Sequence, residues 1–449
     1  MSLPKLDWTS IEQEALEYLQ QLLRIDTTNP PGHEQKALEW LQNILRKEGI
    51  DCTFYPSAPE RGNLLACYSG SGELKPLLLA SHIDVVAAEA SKWRYPPFSG
   101  EIAENCVWGR GAVDMKTMVI YELMAVLLSK RLRLRYKRDI KFLVVCDEEA
   151  GGKWGMGWMV EHHPAELEAE FCLNEVGGFS IALKKRVYPI QVGEKGLLWL
   201  KVQAKGEPGH ASMPGEGNAI FRLLHALEKI RRRPWALRFH PITRGQIRAF
   251  VQASSPLEGF VLRLLSFPFV GKKILRLLPE EQRRYFTALL SDTIAPTILQ
   301  AGTQNNVLPS QARAILDCRT LPQTEHSSFI QQLKQQLGKQ IELETLLDMP
   351  SVCFPIQEEV FNVLKSVLQS RDPEAVVCPS LTVGFTDAKH LAKLGIPTYG
   401  FFPMKLPKGF EFAKLFHGHD ERIPLESFRW GLRTFFEAVY RLAAPQTAV

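Results

Sequence analysis

The chain has 449 residues, of which 45% are hydrophobic and 23% charged, and its formal net charge is +5. This composition is typical of a globular protein of two or three domains, and so small a net charge gives no reason to expect a nucleic-acid partner. None of the eight cysteines forms a C-x-x-C pair, which argues against a cysteine zinc site. Because we find neither an apolar leader nor eighteen consecutive apolar residues, we expect a cytoplasmic protein.

The first 193 residues alternate between helix-like and strand-like patterns. Apolar residues at helical spacing predict helices near residues 9–23, 35–49 and 118–130. Apolar runs bounded by turn formers predict buried strands at residues 76–82 and 140–146, with further strands between and after them. Such alternation favours an α/β fold, with a mostly parallel sheet covered by helices on both faces.

Polar side chains follow these strands at their carboxyl ends, where ligands bind in sheets of this kind. His82 and Asp84 stand two residues apart, so their side chains point to the same side of one strand end. Glu148 and Glu149 follow the strand that ends at Cys146. Taken alone, His82 and Asp84 are more often a buried ion pair, and two adjacent glutamates are more often a solvated loop.

The pattern changes after residue 193. Residues 194–349 show the order β-α-β-β-α-β, which predicts a separate α+β domain, with an additional helical insertion at about 235–290. Within this insertion, residues 257–270 are both apolar and basic. The α/β pattern resumes in residues 350–449, so the small domain is predicted to be inserted into one catalytic domain formed by residues 1–193 and 350–449.

The polar groups at these strand ends and loops have the chemistry of metal ligands. Two imidazoles with several carboxylates suit a pair of divalent ions, with zinc as the first choice and cobalt or manganese as alternatives. An aspartate between two such ions is a known arrangement for hydrolysis. The candidate residues are His82, Asp84, Asp114, Glu148, Glu149, Glu175, His417 and His419.

The chain resembles the dinuclear-zinc metallopeptidase family of aminoacylase-1, carboxypeptidase G, carnosinase and succinyl-diaminopimelate desuccinylase. The resemblance is carried by ordered motifs that start at residues 81 (SHIDVV), 109 (GRGAVDMK), 147 (DEE), 174 (NE), 209 (GHAS) and 417 (HGHDER). Its length and insertion resemble the branch of carboxypeptidase S and the N-acyl-amino-acid hydrolases. The resemblance implies a zinc-peptidase-like α/β fold with a ferredoxin-like lid and dimerisation domain.

The resemblance also implies roles for individual residues. Glu148 would be the general base, Asp84 would orient His82, and His210 of one subunit would stabilise the oxyanion in the other subunit's site. His417 is preferred over His419 as a ligand, because it stands four residues before Glu421 of the motif. The implied metal ligands are His82, Asp114 as the bridge, Glu149, Glu175 and His417.

Four further positions match the family's substrate-binding loops: Asn306, Arg319, Gly384 and Lys389. Lys389 stands where relatives often have arginine, and a lysine cannot form the same bidentate contact with a carboxylate.

The implied function is metal-dependent hydrolysis, by metal-bound hydroxide, of N-acyl amino acids or small peptides with a free carboxylate. The alternatives are a carboxypeptidase or dipeptidase of the same family, a non-catalytic binding protein and a metal-free structural dimer. For residues 257–270, packing against the lid or a dimer interface is favoured over contact with a fatty acyl chain or a membrane surface.

Overall fold

The structure is a computed structural model and describes residues 4–445. Its helices are α1 (Trp8–Leu23), α2 (Gln35–Lys47), α3 (Lys116–Arg131), α4 (Met156–His162), α5 (Ala219–Arg232), α6 (Pro241–Ala253), α7 (Pro256–Leu264), α8 (Pro268–Leu277), α9 (Glu280–Leu290), α10 (His326–Leu337), α11 (Glu358–Arg371), α12 (Ala388–Leu391) and α13 (Leu425–Leu442). Short 3-10 turns lie at Ala90–Lys92, Glu148–Ala150, Pro164–Leu167, Ala392–Leu394 and Phe412–Lys414.

The strands are β1 (Cys52–Ala58), β2 (Arg61–Tyr68), β3 (Leu77–His82), β4 (Glu101–Ala103), β5 (Cys106–Trp108), β6 (Ile140–Val145), β7 (Phe171–Asn174), β8 (Ile181–Ala182), β9 (Arg186–Glu194), β10 (Gly196–Lys205), β11 (Gly209–His210), β12 (Thr293–Ala301), β13 (Val307–Leu308), β14 (Gln311–Thr320), β15 (Ile341–Met349), β16 (Val352–Cys353), β17 (Val376–Thr382), β18 (Thr398–Gly400) and β19 (Arg422–Pro424).

The main sheet follows the order β1-β2-β6-β3-β7-β18-β9-β16, with β8 and β17 also paired to β9. Its centre, β6-β3-β7-β18, is parallel, while β1, β2 and β16 add antiparallel edges. His82 pairs in register with Val145, so β3 and β6 end side by side. The predicted α/β fold with a mostly parallel sheet is confirmed.

Helices cover both faces of this sheet because the sheet is apolar on both sides. Side chains of α1, α2, α3, α11 and α13 share one large core with one face. On the other face, Met156 and Met159 of α4 and Leu391 of α12 pack on Leu78 and Leu143. Helix α3 is buried along almost its whole length, and it begins two residues after Asp114. This rigid helix therefore fixes the backbone of a candidate ligand.

The second domain is a four-stranded antiparallel sheet in the order β12-β14-β10-β15. Helices α5 and α10 pack on one face of it and form a core of their own around Leu198, Leu223, Leu316 and Phe329. The chain order β10-α5-β12-β14-α10-β15 is the predicted β-α-β-β-α-β arrangement. We refer to this unit as the lid.

Helices α6 to α9 form the insertion between α5 and β12. Their buried side chains, including Ile242, Phe250, Leu265 and Phe286, belong to the same core as the main sheet. The insertion is therefore built onto the catalytic domain, although it lies within the lid's part of the sequence. None of the helices within residues 4–445 combines the length and the apolar character needed to cross a membrane.

Candidate metal centre

His82 ends β3, a strand whose six residues are all buried. Its Nδ1 lies 3.0 Å from the backbone carbonyl oxygen of Asp84, which can only accept, so Nδ1 carries a proton. Its Nε2 lies 3.1 Å from Oδ1 of Asp114. A neutral ring would direct its Nε2 lone pair at a carboxylate, so this contact requires either an imidazolium or a cation between the two groups.

Asp114 stands between two histidines. Its Oδ1 faces His82, and its Oδ2 lies 3.3 Å from Nε2 of His417. The potential ligand atoms form two groups, His82–Asp114–Glu175 and Asp114–Glu149–His417, and within each group they lie within 4.8 Å of one another. The two groups share Asp114.

The three candidate glutamates surround this aspartate. Glu149 Oε2 is 3.0 Å from Nε2 of His417, and Glu175 Oε2 is 3.7 Å from Nε2 of His82. Glu148 Oε2 is 3.9 Å from the same His82 nitrogen, and its side chain is buried. The structure thus brings both histidines and all four carboxylates to one place at the carboxyl end of the sheet.

Asp84 positions the loop that carries Glu148 and Glu149. Its Oδ1 accepts the backbone N–H of Glu148 and its Oδ2 that of Glu149, each at 3.1 Å. Asn29, which the sequence analysis did not single out, donates to Oδ2 at 2.8 Å. The carboxylate of Asp84 is 3.5 Å from Nδ1 of His82, farther than its own backbone carbonyl. Asp84 therefore holds His82 through its main chain and the glutamates through its side chain.

Glu421 positions Asp114 in a similar way and was used in the sequence analysis only to locate His417. Its buried carboxylate accepts the backbone N–H groups of Gly111, Val113 and Asp114 at 2.6–3.1 Å. The guanidinium of Arg110 donates to it at 2.7 Å. Gly111 has a φ of +90°, and a Cβ there would come within 2.9 Å of Val85. The sequence indicates this positioning of Asp114 only by the presence of Arg110 and Glu421 in two motifs that lie far apart in the chain.

Without a cation, the centre shifts the pKa values of its groups strongly. Burial, together with repulsion from Asp114, raises the pKa of Glu149 to about 7, and burial raises that of Glu175 to about 7 as well. Burial also raises the pKa of Glu148 well above its usual range. Hydrogen bonds to Asp114 and Glu149 raise the pKa of His417 to about 10. Burial opposes ionisation of Asp114, but its two histidine contacts hold its pKa well below the usual value.

The donor set fits divalent metal ions. Imidazole nitrogen and carboxylate oxygen are common zinc ligands, and cobalt and manganese accept the same set. Glu149 Oε1 is buried and has no hydrogen-bond partner within the described chain, which is the state expected of a ligand oxygen turned toward a cation. His419 is exposed and belongs to neither ligand group among residues 4–445.

His210 and Asn306 lie together on the lid. Strand β11 pairs with β13, which places His210 opposite Val307. The backbone N–H of Ala211 donates to the carbonyl of Asn306 at 3.0 Å. The backbone N–H of Ser212 donates to Nδ1 of His210, so a neutral ring carries its proton on Nε2. Both His210 and Asn306 are exposed, and within one chain His210 makes its hydrogen bonds with Ser212 and not with the metal centre.

The other predicted substrate-binding residues have different surroundings. Arg319 on β14 forms two hydrogen bonds to Asp317, at 2.7 and 3.1 Å. Gly384 lies in the partly buried loop after β17. Lys389 is buried, and its ammonium group donates to the carbonyls of Lys195 at 2.6 Å and Pro350 at 3.2 Å. These two carbonyls lie where the chain enters and leaves the lid, so Lys389 joins the two domain connections.

Hydrolases that use metal ions need a set of ligands with a buried carboxylate beside it, held on a rigid scaffold. Here the catalytic domain provides both, and a separate lid carries further polar groups. The fold and the site together define a metal-dependent hydrolase.

Comparison with known proteins identifies the family. The model of peptidase family M20/M25/M40 matches residues 78–441, so the chain belongs to this family, and the resemblance found in its motifs is confirmed. It is 30% identical to probable carboxypeptidase S-like 2 of Dictyostelium discoideum, over 82% of this chain and 73% of that protein. It is 28% identical to N-fatty-acyl-amino acid synthase/hydrolase PM20D1 of Mus musculus, over 84% of this chain and 76% of that protein.

A solved structure supports the fold. The M20 family metallo-carboxypeptidase Sso-CP2 from Sulfolobus solfataricus superposes with a TM-score of 0.72. The superposition covers 96% of this chain and 99% of that chain at 18% identity.

Proposed function

We propose that this protein is a dinuclear metal amidohydrolase that cleaves the amide bond of N-acyl amino acids or small peptides with a free carboxylate. The observation that carries the proposal is the pair of ligand groups that share Asp114. His82 and Glu175 would hold one ion, and His417 and Glu149 the other. Zinc is the first choice, since two imidazoles and carboxylates suit it, and cobalt or manganese would also bind.

When bound, two divalent ions supply a polarised carbonyl and a water of lowered pKa. Glu148 is the group that would take the proton from this water and pass it to the leaving amine. Its carboxylate is buried beside His82, and burial followed by repulsion from Glu175 and Glu149 keeps its pKa raised. A carboxylate tuned upward in this way is suited to act as a base near neutral pH.

The lid would complete the site across a homodimer. His210 is exposed, and Ser212 holds its ring so that Nε2–H is free to donate to a developing oxyanion. Strand β12 is an edge of the lid sheet, and Ile298 and Leu299 on it are exposed. An exposed apolar edge strand suits pairing with a second copy, which would bring His210 of one subunit to the metal centre of the other.

The substrate's carboxylate would be recognised by Arg319 and Asn306 of the lid. Arg319 Nη1 is buried with no hydrogen-bond partner within the described residues, so it retains a donor for such a group. We assign Lys389 to the domain connection instead, because both carbonyls that its ammonium contacts lie there.

The experiment is a substrate screen with Glu148→Gln as the test variant. N-acyl amino acids of increasing acyl length and a set of di- and tripeptides are assayed with zinc and with a chelator. We expect hydrolysis that the chelator abolishes, and a loss of about 10²- to 10⁴-fold in Glu148→Gln. Metal content should be unchanged in this variant, because Glu148 belongs to neither ligand group.

The screen also separates the alternatives. Turnover of peptides with little hydrolysis of acyl amino acids would favour a carboxypeptidase or dipeptidase. Binding without turnover of any compound would favour a non-catalytic protein. Full activity of Glu148→Gln would refute the proposed base.

A further inference from the structure

The insertion carries a group of large apolar side chains that no described part of the chain covers. Leu257 and Phe260 on α7 are 75% and 60% exposed, and Leu277 at the end of α8 is 80% exposed. Phe267, between these helices, and Val270, on α8, are also exposed. Single exposed apolar residues are ordinary, but five of them within 21 residues mark a contact surface. We call these five residues, with the cations between them, the α7–α8 surface.

The exposure of these side chains does not arise because the insertion lacks a core. Leu265 and Leu275, which lie between the exposed positions, are buried together with Leu289 and Leu290 of α9. Helix α6 anchors the insertion on the main sheet, where Gln246 accepts the backbone N–H of Leu381 at 3.4 Å. The α7–α8 surface is therefore the outer face of a packed unit.

The exposed residues follow the helical period. Leu257 and Phe260 are three residues apart on α7, and Val270 and Leu277 are seven apart on α8 with Lys273 between them. Residues at these spacings share one face of a helix. Each of the two helices thus presents an apolar face to solvent.

The charges on the same surface are predominantly positive, and the one acidic residue within 257–277, Glu258, accepts hydrogen bonds from the backbone N–H and the hydroxyl of Ser255. Residues 259–279 contain Arg263, Lys272, Lys273 and Arg276 and no acidic residue. All four cations are exposed. An apolar helix face with cations beside it is the pattern of a helix that lies in the surface of an anionic membrane. A second copy of this chain fits less well, because a symmetric contact would bring the same four cations face to face.

We infer that the α7–α8 surface docks on an anionic lipid bilayer. Leu257, Phe260 and Leu277 would enter the boundary between headgroups and acyl chains, while Lys272 and Lys273 would contact lipid phosphates. The insertion also reaches the domain connection, since the ammonium group of Lys195 contacts the carbonyls of Ala288 and Ser291 at 2.8 Å each. Docking would place the catalytic domain at the membrane surface, where amphiphilic substrates concentrate. This inference concerns binding to lipid and does not depend on the proposed reaction.

The test is co-sedimentation of the full-length protein with vesicles. Vesicles of phosphatidylcholine alone are compared with vesicles that contain about 30% phosphatidylserine, at low and at high salt. We expect binding to the anionic vesicles that salt weakens. Each removed cation should weaken binding about fivefold, so Lys272→Gln/Lys273→Gln should lose roughly 25-fold. Leu257→Ser should lose about tenfold, because it removes one inserted apolar side chain.

Matched controls lie elsewhere on the catalytic domain. Arg46→Gln/Lys47→Gln removes two adjacent exposed cations from α2, which packs near the opposite edge of the main sheet. Leu74→Ser removes an exposed leucine from a loop before β3. Both should bind vesicles like the unmodified protein.

Three results would overturn the inference. The first is absence of binding to anionic vesicles at low salt, and the second is an equal loss in the test and control variants. The third is a change of oligomeric state in Leu257→Ser, measured by light scattering, which would assign the surface to a second copy of the chain. In every case the hydrolytic activity is assayed separately, so failure of lipid binding is distinguished from failure of the proposed function.

Discussion

Removing the metal should make the stability of this protein strongly dependent on pH, because the centre contains more buried carboxylates than cations to balance them. Burial raises the pKa of Glu149 and of Glu175 to about 7 from an ordinary value of 4.5. A carboxyl with a raised pKa in the folded state destabilises that state once it must ionise. This loss of stability begins as the pH passes 4.5 and is complete above about 7.

The size of the effect follows from these values. Raising the pKa of one carboxyl from 4.5 to about 7 on folding lowers the free energy of unfolding by about 3 kcal/mol once the group is ionised. Glu149 and Glu175 lie in one centre and titrate as a coupled pair. We therefore expect roughly 3 kcal/mol for the two together and do not add a separate contribution for each. His417 acts in the same direction, because its pKa is raised to about 10 and the stability this gives is lost as the pH rises through that value. Its side chain is more than half exposed, so we assign it no energy.

The assay is guanidinium unfolding of the chelated and the metal-saturated protein at a series of pH values. We expect the stability of the chelated protein to fall by about 3 kcal/mol between pH of about 5 and about 8. The metal-saturated protein should change less, because the ions replace the protons on these carboxylates. The difference between the two forms should therefore grow with pH.

Glu149→Gln is the control for this interpretation, since it removes one of the two titrating carboxyls and keeps its shape. The chelated variant should be less sensitive to pH than the chelated parent protein. A stability of the chelated parent that stays constant or rises over this range would refute the reasoning. An unchanged slope in Glu149→Gln would show that Glu149 does not contribute to the effect.

Three further predictions concern individual residues. His417→Ala should lose about half of the bound metal, measured by elemental analysis, whereas His419→Ala should retain all of it. Glu421→Gln should weaken metal affinity roughly 10- to 100-fold in a competition titration, because Glu421 holds the backbone around Asp114, and unchanged affinity would contradict this role. Lys389→Met should lower the free energy of unfolding by about 3–5 kcal/mol, because it removes the counter-charge of the buried Glu194, which keeps only its neutral donors Gln191 and Thr386, while Lys393→Met on the surface should change it by less than about 0.5 kcal/mol.

Local patterns were sufficient to predict the strands that carry the centre. His82 and Glu175 follow short apolar runs, and Glu148 follows a longer one, so each was predicted at the end of a parallel strand. The structure places β3, β6 and β7 side by side, with His82 in register with Val145. Parallel strands in a common register bring their carboxyl ends together, so proximity of these residues follows from the fold class.

Contacts between distant parts of the chain could not be predicted in this way. Arg110 and Glu421 are 311 residues apart, and neither lies in a local pattern that indicates a buried pair. Lys389 was predicted to bind substrate because its position matches a family motif. Its environment is determined by where the two domain connections cross, which no local pattern specifies.

The charges at the centre distinguish a metal site from the alternative of a buried histidine–aspartate pair. The carboxylate of Asp84 lies 3.5 Å from Nδ1 of His82 and also accepts the backbone N–H groups of Glu148 and Glu149, so it can balance one imidazolium at most. Four other carboxylates remain around two imidazoles, and two imidazolium ions would balance only half of their charge. Buried charges without partners are strongly unfavourable, so at neutral pH these carboxylates either gain further positive charge or bind protons, as the raised pKa values of Glu148, Glu149 and Glu175 indicate. Two divalent ions beside neutral imidazoles would balance the charges of Asp114, Glu148, Glu149 and Glu175, while Asp84 keeps its hydrogen bonds from Asn29 and the glutamate loop, which is why we favour two metal ions over one.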